Sequence, residues 1–493
     1  MKLTAMFCAC LLPALSFAGQ PPNDAAGEIL GRTLGQTPIV ADLEYLTDEI
    51  GGRPTGSVAL EQALDWGVER FREAGLENVR REPYTAALLW LPGTEFGEMI
   101  QPKRRSLRVV ALPFSSGTGS SGIEADVVAV GHGDAADFAG VKEKLRGRWA
   151  LVSTEPMRRI EDLDAEYLMA PPIFSAAFKA GAVGVLWTST RPGRLLYRHP
   201  VRFDDTTDRL PGAMLEREEA LQILRLLSKG QTVRLRINTA PRIIERGSAA
   251  NIVGEIRGEE KADEFVLLAA HLDSWDLGQG ALDNGCNSVL VMDAARQIAA
   301  VAKAHRPVRT IRFVLFTGEE DGFLGSKADT QLHREDLDRT VAMVTFDTGT
   351  GRTTGFSTGG RADLVAAADA ALAPVEGLGP FTQTSDAFVG TDNYDYLIEG
   401  VPNFVANQDV DPYLPHYHAS TDTFDKVDVR EMKVNTAIAA VFVWDLANAQ
   451  APPGPRQTRA EVEGLIKATG LDKQMQTYHL MDDFLSGKRG RAP

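Results

Sequence analysis

The sequence predicts an α/β protein with a mixed, largely parallel central sheet flanked by helices, and a small α/β unit inserted into it. Two observations carry that prediction. Three continuous apolar runs of strand length, FVLLAA, IRFVLF and VAMVTF, alternate with helical patterns between residues 265 and 346, as strands buried on both faces do. Between about Arg104 and Ile237 the chain changes to short β-branched runs such as VVALPF, ADVVAV and WALVS, separated by turn-rich spacers. At 493 residues the chain exceeds one average domain, so an insertion within a larger unit is expected.

The opening MKLTAMFCACLLPALSFAG has a cationic start at Lys2, an apolar stretch to Phe17 and small residues at Ser16 and Ala18. It reads as a secretory signal peptide, residues 1–18, cut after Ala18. Cys8 and Cys10 fall inside it, so Cys286 stands alone in the rest of the chain and no intrachain disulfide is expected. With no Asn-x-Ser/Thr acceptor, the expectation is an exported protein, periplasmic or extracellular. No other window offers the roughly 18 unbroken apolar residues that span a bilayer. A net charge of −15 argues against nucleic acid or an anionic membrane as partner. The short basic runs Lys103–Arg105 and Lys488–Arg491 read as solvated surface.

From Thr37 to Tyr84 the pattern is helical, with Leu60, Leu64, Val68 and Phe71 on one face and IGGRPTGS (50–57) breaking the run as a loop. Residues 19–103 thus form the amino-terminal part of the larger unit. The insertion, 104–240, carries two helical patches, FSAAFKAGA and EREEALQILRLL. The larger unit resumes over 241–450, including the helical VLVMDAARQIAAV. APPGPR (451–456) then reads as a linker to a helical tail ending at 493.

Ligands of open α/β sheets sit beyond the carboxyl ends of the strands. Here FVLLAA runs into His271, IRFVLF into a turn with Glu319 and Glu320, and VAMVTF into Asp347. HLDSWDLGQGALDNGC (271–286) adds Asp273, Asp276, Asp283 and Cys286, and PHYHASTDT adds His416 and His418. Singly these are weak signals: an adjacent Glu pair is usually a solvated helix start, a terminal Asp a cap. Jointly, acids placed straight after buried strands are costly without a shared counter-charge. Two imidazoles and several carboxylates, with no thiolate required, suit Zn²⁺, with Mn²⁺ or Co²⁺ as substitutes. One acid more than a mononuclear site needs points to two metals sharing a carboxylate. Tyr394, Tyr396, His416 and Tyr417 lie near enough in sequence to supply oxyanion donors.

Two other motifs are set aside. GTGSSG (117–122) leads into a strand pattern, where a phosphate cradle needs a helix. GFSTG (355–359) matches a nucleophile elbow, but the residues before it make a poor buried strand.

HLDSWD, ALDNG, FTGEEDGFLGS, TFDTG and YHASTDT resemble the co-catalytic di-zinc aminopeptidase family of zinc exopeptidases, whose fold is phosphorylase/hydrolase-like. The SWD and GQGA wording resembles its plasma glutamate carboxypeptidase (carboxypeptidase Q) branch. IGGRPTGS, the GLENV turn and Trp90 match the amino-terminal part, while FKAGAVGVLW and LPGAML resemble a protease-associated domain. The resemblance implies that His271 and Asp347 bind one zinc, Glu320 and His418 the other, and Asp283 bridges them. It makes Glu319 the general base and Asp273 the partner that orients His271. Each implied position holds the expected residue type. Cys286 stays outside the ligand set, at the first turn of the next helix, where a thiol is expected to have a lowered pKa. The implied activity is hydrolysis of short peptides or dipeptides with two Zn²⁺ per chain, and a homodimer is compatible with the family. A different amide hydrolase or cyclase on the same fold, and a non-catalytic receptor-like binding protein, are the alternatives. The insertion is expected to shape or cover the cleft. Amino-terminal, carboxy-terminal and dipeptide specificity are left open.

Overall fold

The computed structural model describes residues 25–492, so the signal peptide read at 1–18 lies outside the described residues, as do Cys8 and Cys10. The helix Val58–Ala74 starts at Ser57, whose hydroxyl accepts the Leu60 N–H, and it buries Leu60, Leu64, Val68 and Phe71 as the spacing predicts. It ends at Gly75, whose φ of 86° is left-handed and comfortable only without a Cβ. The helical reading of 37–84 therefore overran. Residues 77–84 open strand β1 (Glu77–Gln101), and they bury no apolar side chain there, Glu82 being the one buried residue, so no apolar alternation marked the strand in the sequence.

After β1 come β2 (Arg105–Leu107), β3 (Val109–Ala111), β4 (Ile123–Ala129), β5 (Trp149–Val152), β6 (Gly184–Thr188) and β7 (Gly212–Leu215). β4, β5, β6 and β7 run parallel in that order, and β3 closes the edge antiparallel to β7. The helices Glu161–Lys179 and Arg217–Ser228 cover opposite faces. Phe174, Trp187 and Tyr197 fill one core, and Trp149, Ile223 and Leu235 fill the other. β8 (Arg234–Ile256) then runs unbroken from this inserted sheet into the larger one. It pairs with β4 at Ile237, with β1 from Arg234 to Glu255, and with the larger sheet at Ile252–Ile256.

The larger sheet adds β9 (Lys261–His271), β10 (Arg309–Phe316), β11 (Thr340–Thr345), β12 (Thr353–Ser357) and β13 (Asn403–Gln408), in the order β12-β13-β11-β9-β10-β8. The β9–β10, β9–β11 and β11–β13 pairs are parallel, and the flanking pairs antiparallel. This is the mixed, largely parallel sheet expected. Val266 and Leu268 pack beneath the helices Cys286–Ala302 and Val429–Asn448, whereas Leu267 and Ala269 face Val314, Phe316 and Tyr396. Both strand faces are dry, hence the continuous apolar text.

The helices Arg459–Thr469, Leu471–Thr477 and Met481–Leu485 pack on Phe323, Tyr394 and Leu397. Their final turn corrects the reading of Lys488–Arg491 as solvated surface. Arg489 is buried, its Nε and Nη2 donating to Asp395 at 2.7 and 2.8 Å. No helix among the described residues is long and apolar enough to cross a membrane.

The helix Leu324–Leu332 is tied to β1 just beyond its last residue by an ion-pair network. His333 Nε2 donates to Glu82 at 2.9 Å, and Nδ1 lies 3.4 Å from Asp336. Burial opposes the imidazolium, but Glu82 and Asp329 outweigh it and push His333 up. Burial likewise opposes the Glu82 carboxylate, and His333 and Arg80 hold it below its ordinary value. The His333 contribution is thus complete below the usual histidine range and lost as pH rises through its raised value. The Glu82 contribution is lost only as pH falls below the carboxylate range. The melting-temperature gap between wild type and His333→Gln should be widest at about pH 6 and shrink by about pH 9.

Candidate metal centre

His271 is the last residue of β9, and its Nε2 lies 2.9 Å from Asp347 Oδ1 and 3.3 Å from Asp283 Oδ1. His418 arrives from the far end of the chain, with Nε2 2.9 Å from Glu320 Oε2 and 3.4 Å from Asp283 Oδ2. The two oxygens of one carboxylate therefore face two separate histidine–acid pairs. All five side chains are buried. Tetrahedral Zn²⁺ with bonds of about 2.0–2.1 Å sets its ligand atoms roughly 3.3 Å apart, and the contacts here match that scale. Glu320 Oε1 is buried with no hydrogen-bond partner among the described residues. These donors fit one cation on each side of Asp283.

The electrostatics reflect the crowding of acids. Burial disfavours the charged form of His271, but Asp347 and Glu319 push it up against that effect. Burial pushes Glu320 well above the usual carboxylate range, and repulsion from Asp283 and Glu319 adds to it. Glu319 is pushed up by burial against the pull of His271, with Asp347, Asp392 and Asp283 repelling it further. Burial also drives His418 down to about 3, leaving a neutral imidazole able to ligate.

The loops that carry these groups are held from outside. Asp422 accepts the N–H groups of Leu282 and Asp283 at 2.6 and 3.1 Å. Tyr413 donates its hydroxyl to Asp283 Oδ2 at 2.9 Å. Arg53, in the IGGRPTGS loop, donates to the carbonyls of Leu272, Gly51, Gln279 and Gly280 at 2.7–2.9 Å. Thr55 donates to Asp273 Oδ2 at 2.9 Å, while Asp273 Oδ1 accepts the Glu319 N–H at 3.4 Å. The Nδ1 of His271 faces the Asp273 main-chain carbonyl at 3.0 Å, nearer than the carboxylate at 3.5 Å.

Residues 251–443 match the model of peptidase family M28. The chain resembles the carboxypeptidase Q of Mus musculus, 28% identical over 408 residues, or 82% of this chain and 85% of the relative. For the carboxypeptidase Q of Rattus norvegicus the identity is 29% over 413 residues, covering 83% and 85%. A peptidase M28 precursor from Shewanella amazonensis SB2B superposes with a TM-score of 0.78 at 27% identity, over 88% of this chain and 98% of that one. Residues 251–443 are thus similar to peptidase family M28, and the chain as a whole to carboxypeptidase Q. A zinc aminopeptidase from Bacillus subtilis shares the fold, with a TM-score of 0.66 at 18% identity over 85% and 97% of the two chains.

These similarities support a metallopeptidase. Beside the centre lies a cavity of about 500 Å³. Glu319, Glu320, Asp283, Asp347 and His418 reach its floor. Tyr167 and Phe203 of the inserted segment and Tyr478 of the tail meet over it, with ring centroids 5.3–5.9 Å apart.

Of the residues named as oxyanion donors, only Tyr417 lines this cavity, with its ring stacked on His418 at 3.6 Å and its hydroxyl 2.8 Å from that of Tyr167. Tyr394 packs against Arg489, Tyr396 donates to Asp329, and His416 bonds Thr421 at 2.9 Å, all away from the cavity. Cys286 opens its helix as expected, but it is buried and donates to the Leu282 carbonyl. Burial pushes its thiol up rather than down, so the expected lowered pKa is corrected. Ser357 lines the cavity, but its hydroxyl proton is given to the Asp386 carbonyl at 2.6 Å.

Sequence reasoning missed Arg53, Tyr413 and Asp422. Tyr413 and Asp422 flank the HYH run that holds His418, which was the available signal. Asp422→Ala strands two buried N–H groups, so urea unfolding should show a loss of about 2–4 kcal/mol.

Proposed function

We propose that this chain is an exported, zinc-dependent exopeptidase of the aminopeptidase or dipeptidase type, acting on short peptides through two zinc ions bridged by Asp283. The observation that carries this is the placement of Asp283 between two histidine–acid pairs. His271 and Asp347 would hold one ion, and Glu320 and His418 the other. Bound zinc supplies Lewis acidity that activates water and polarises the scissile carbonyl. Glu319 lines the cavity at 3.9 Å from His271 Nε2, without a hydrogen bond to it, and acts as general base. Burial and the neighbouring acids raise its proton affinity, which suits a group that takes a proton from water and returns it to the leaving amine.

Glu319→Gln should keep two zinc ions per chain by elemental analysis and lower kcat by roughly a hundredfold to ten-thousandfold. Retained turnover would place the base elsewhere.

The cavity also suggests which end of the peptide is read. Its described lining includes the carboxylates of Glu319, Asp347 and Asp386 but no lysine or arginine. With Asp347 assigned to zinc and Glu319 to the proton, Asp386 is the named carboxylate left to meet a free ammonium, and no lining lysine or arginine is there to meet a free carboxylate. On unblocked, amino-acetylated and carboxy-amidated dipeptides, acetylation should abolish cleavage and amidation should be tolerated. The reverse order would assign carboxy-terminal recognition.

The segment 104–240, read as a protease-associated insertion, forms one wall of the cleft through Tyr167 and Phe203, and the tail forms the next through Tyr478. An aromatic wall favours a bulky apolar side chain. Phe203→Ala should therefore lower kcat/KM for a leucyl substrate relative to an alanyl one, by roughly tenfold.

A further inference from the structure

We infer that Arg198 is a positioning residue through which the inserted segment fixes the ring of His418. The inference rests on the proposed role of His418 as a zinc ligand. His418 has a φ of 57°. A non-glycine residue persists in this left-handed region when its surroundings over-determine it. Here both polar groups of the Arg198 main chain engage it. The Arg198 N–H donates to the His418 carbonyl at 3.1 Å, and the Arg198 carbonyl lies 3.2 Å from His418 Nδ1. Tyr197 and Ala419 form an antiparallel bridge beside them, and the Ser420 N–H donates to the Leu196 carbonyl at 3.1 Å. A carbonyl at Nδ1 requires the proton there, which leaves the Nε2 lone pair facing Glu320 and Asp283.

The Arg198 side chain explains why this short bridge stays in place. It is fully buried, and its Nε and Nη2 donate to both oxygens of Asp276 at 2.9 and 2.7 Å. Its Nη1 donates to Glu95 in β1 at 2.6 Å and to the Ala111 carbonyl in β3 at 3.0 Å. Trp90 covers the guanidinium at 5.4 Å, and Trp275 lies edge-on to both Trp90 and His418. Asp276 belongs to the loop that follows His271. One planar fork thus ties the loop of the first histidine to the backbone orienting the second. Lysine, with one ammonium, cannot serve Asp276 bidentately and Glu95 together.

The test is zinc affinity measured by chelator competition on the full-length protein, with folding checked by circular dichroism. Arg198→Gln should retain one tightly held zinc and bind the second roughly 10–100-fold more weakly. Excess zinc should restore kcat with KM unchanged, a response that a purely structural defect would not give. If Arg198→Gln does not fold, Asp276→Asn keeps the shape while weakening the fork, and should shift the second affinity in the same direction by less. Two zinc ions held as tightly as in the wild type, in whichever variant folds, would overturn the inference. A wild type that binds only one zinc would instead overturn the two-zinc reading beneath it.

Discussion

The carboxylates of Asp283, Glu319, Glu320 and Asp347 meet at the carboxyl ends of β9, β10 and β11 with little access to water. Each disfavours ionisation of its neighbours, and burial disfavours it again. Such a group of acids is tolerable only where positive charge is shared among them, and two imidazoles supply too little. This requirement governs the surroundings. Acids that must accept a cation cannot spend their oxygens on side-chain cations, so the scaffold holds them through the main chain. Asp422 grips the Leu282 and Asp283 amides, and Arg53 grips the carbonyls of the loop, while the Asp283 oxygen facing His418 takes only the neutral Tyr413 hydroxyl besides.

The same requirement accounts for elements that look peripheral along the chain. A cleft floored by acids becomes selective only if its walls exclude water and shape the substrate. The larger unit supplies the floor and, through residues 405–408 of β13 and the segment 386–391, much of the wall. The inserted segment supplies Tyr167 and Phe203, and the tail supplies Tyr478. The insertion is anchored by the β1–β8 ribbon as well as by its bridge to the His418 loop, and the tail by the Arg489–Asp395 pair.

What the sequence disclosed follows from these physical differences. β9, β10 and β11 were legible because both faces are buried, and the acids were legible because they follow those strands directly. β1 was missed beyond Gly75 because its first residues bury no apolar side chain and gain their structure by pairing with β8. Arg53, Tyr413, Asp422 and Arg198 carry no pattern of their own, since each acts on a partner more than 70 residues away, a separation that only the fold closes. Cys286 shows the converse error. Its place at a helix start was read correctly, but burial outweighs the helix terminus in setting its proton affinity.

The two histidines share a further feature. Each turns its Nδ1 to a main-chain carbonyl, that of Asp273 for His271 and that of Arg198 for His418. The tautomer that frees Nε2 is thus set by backbone position. Any residue can supply a carbonyl, so identity at 273 or 198 matters through what the side chain does to hold the backbone still. Asp273 does this by joining Thr55 to the Glu319 amide, and Arg198 by joining Asp276 to Glu95. In each case a charged side chain is consumed in fixing a loop. The centre depends on residues that touch neither metal nor substrate, and their substitution acts on ligand geometry before it acts on charge.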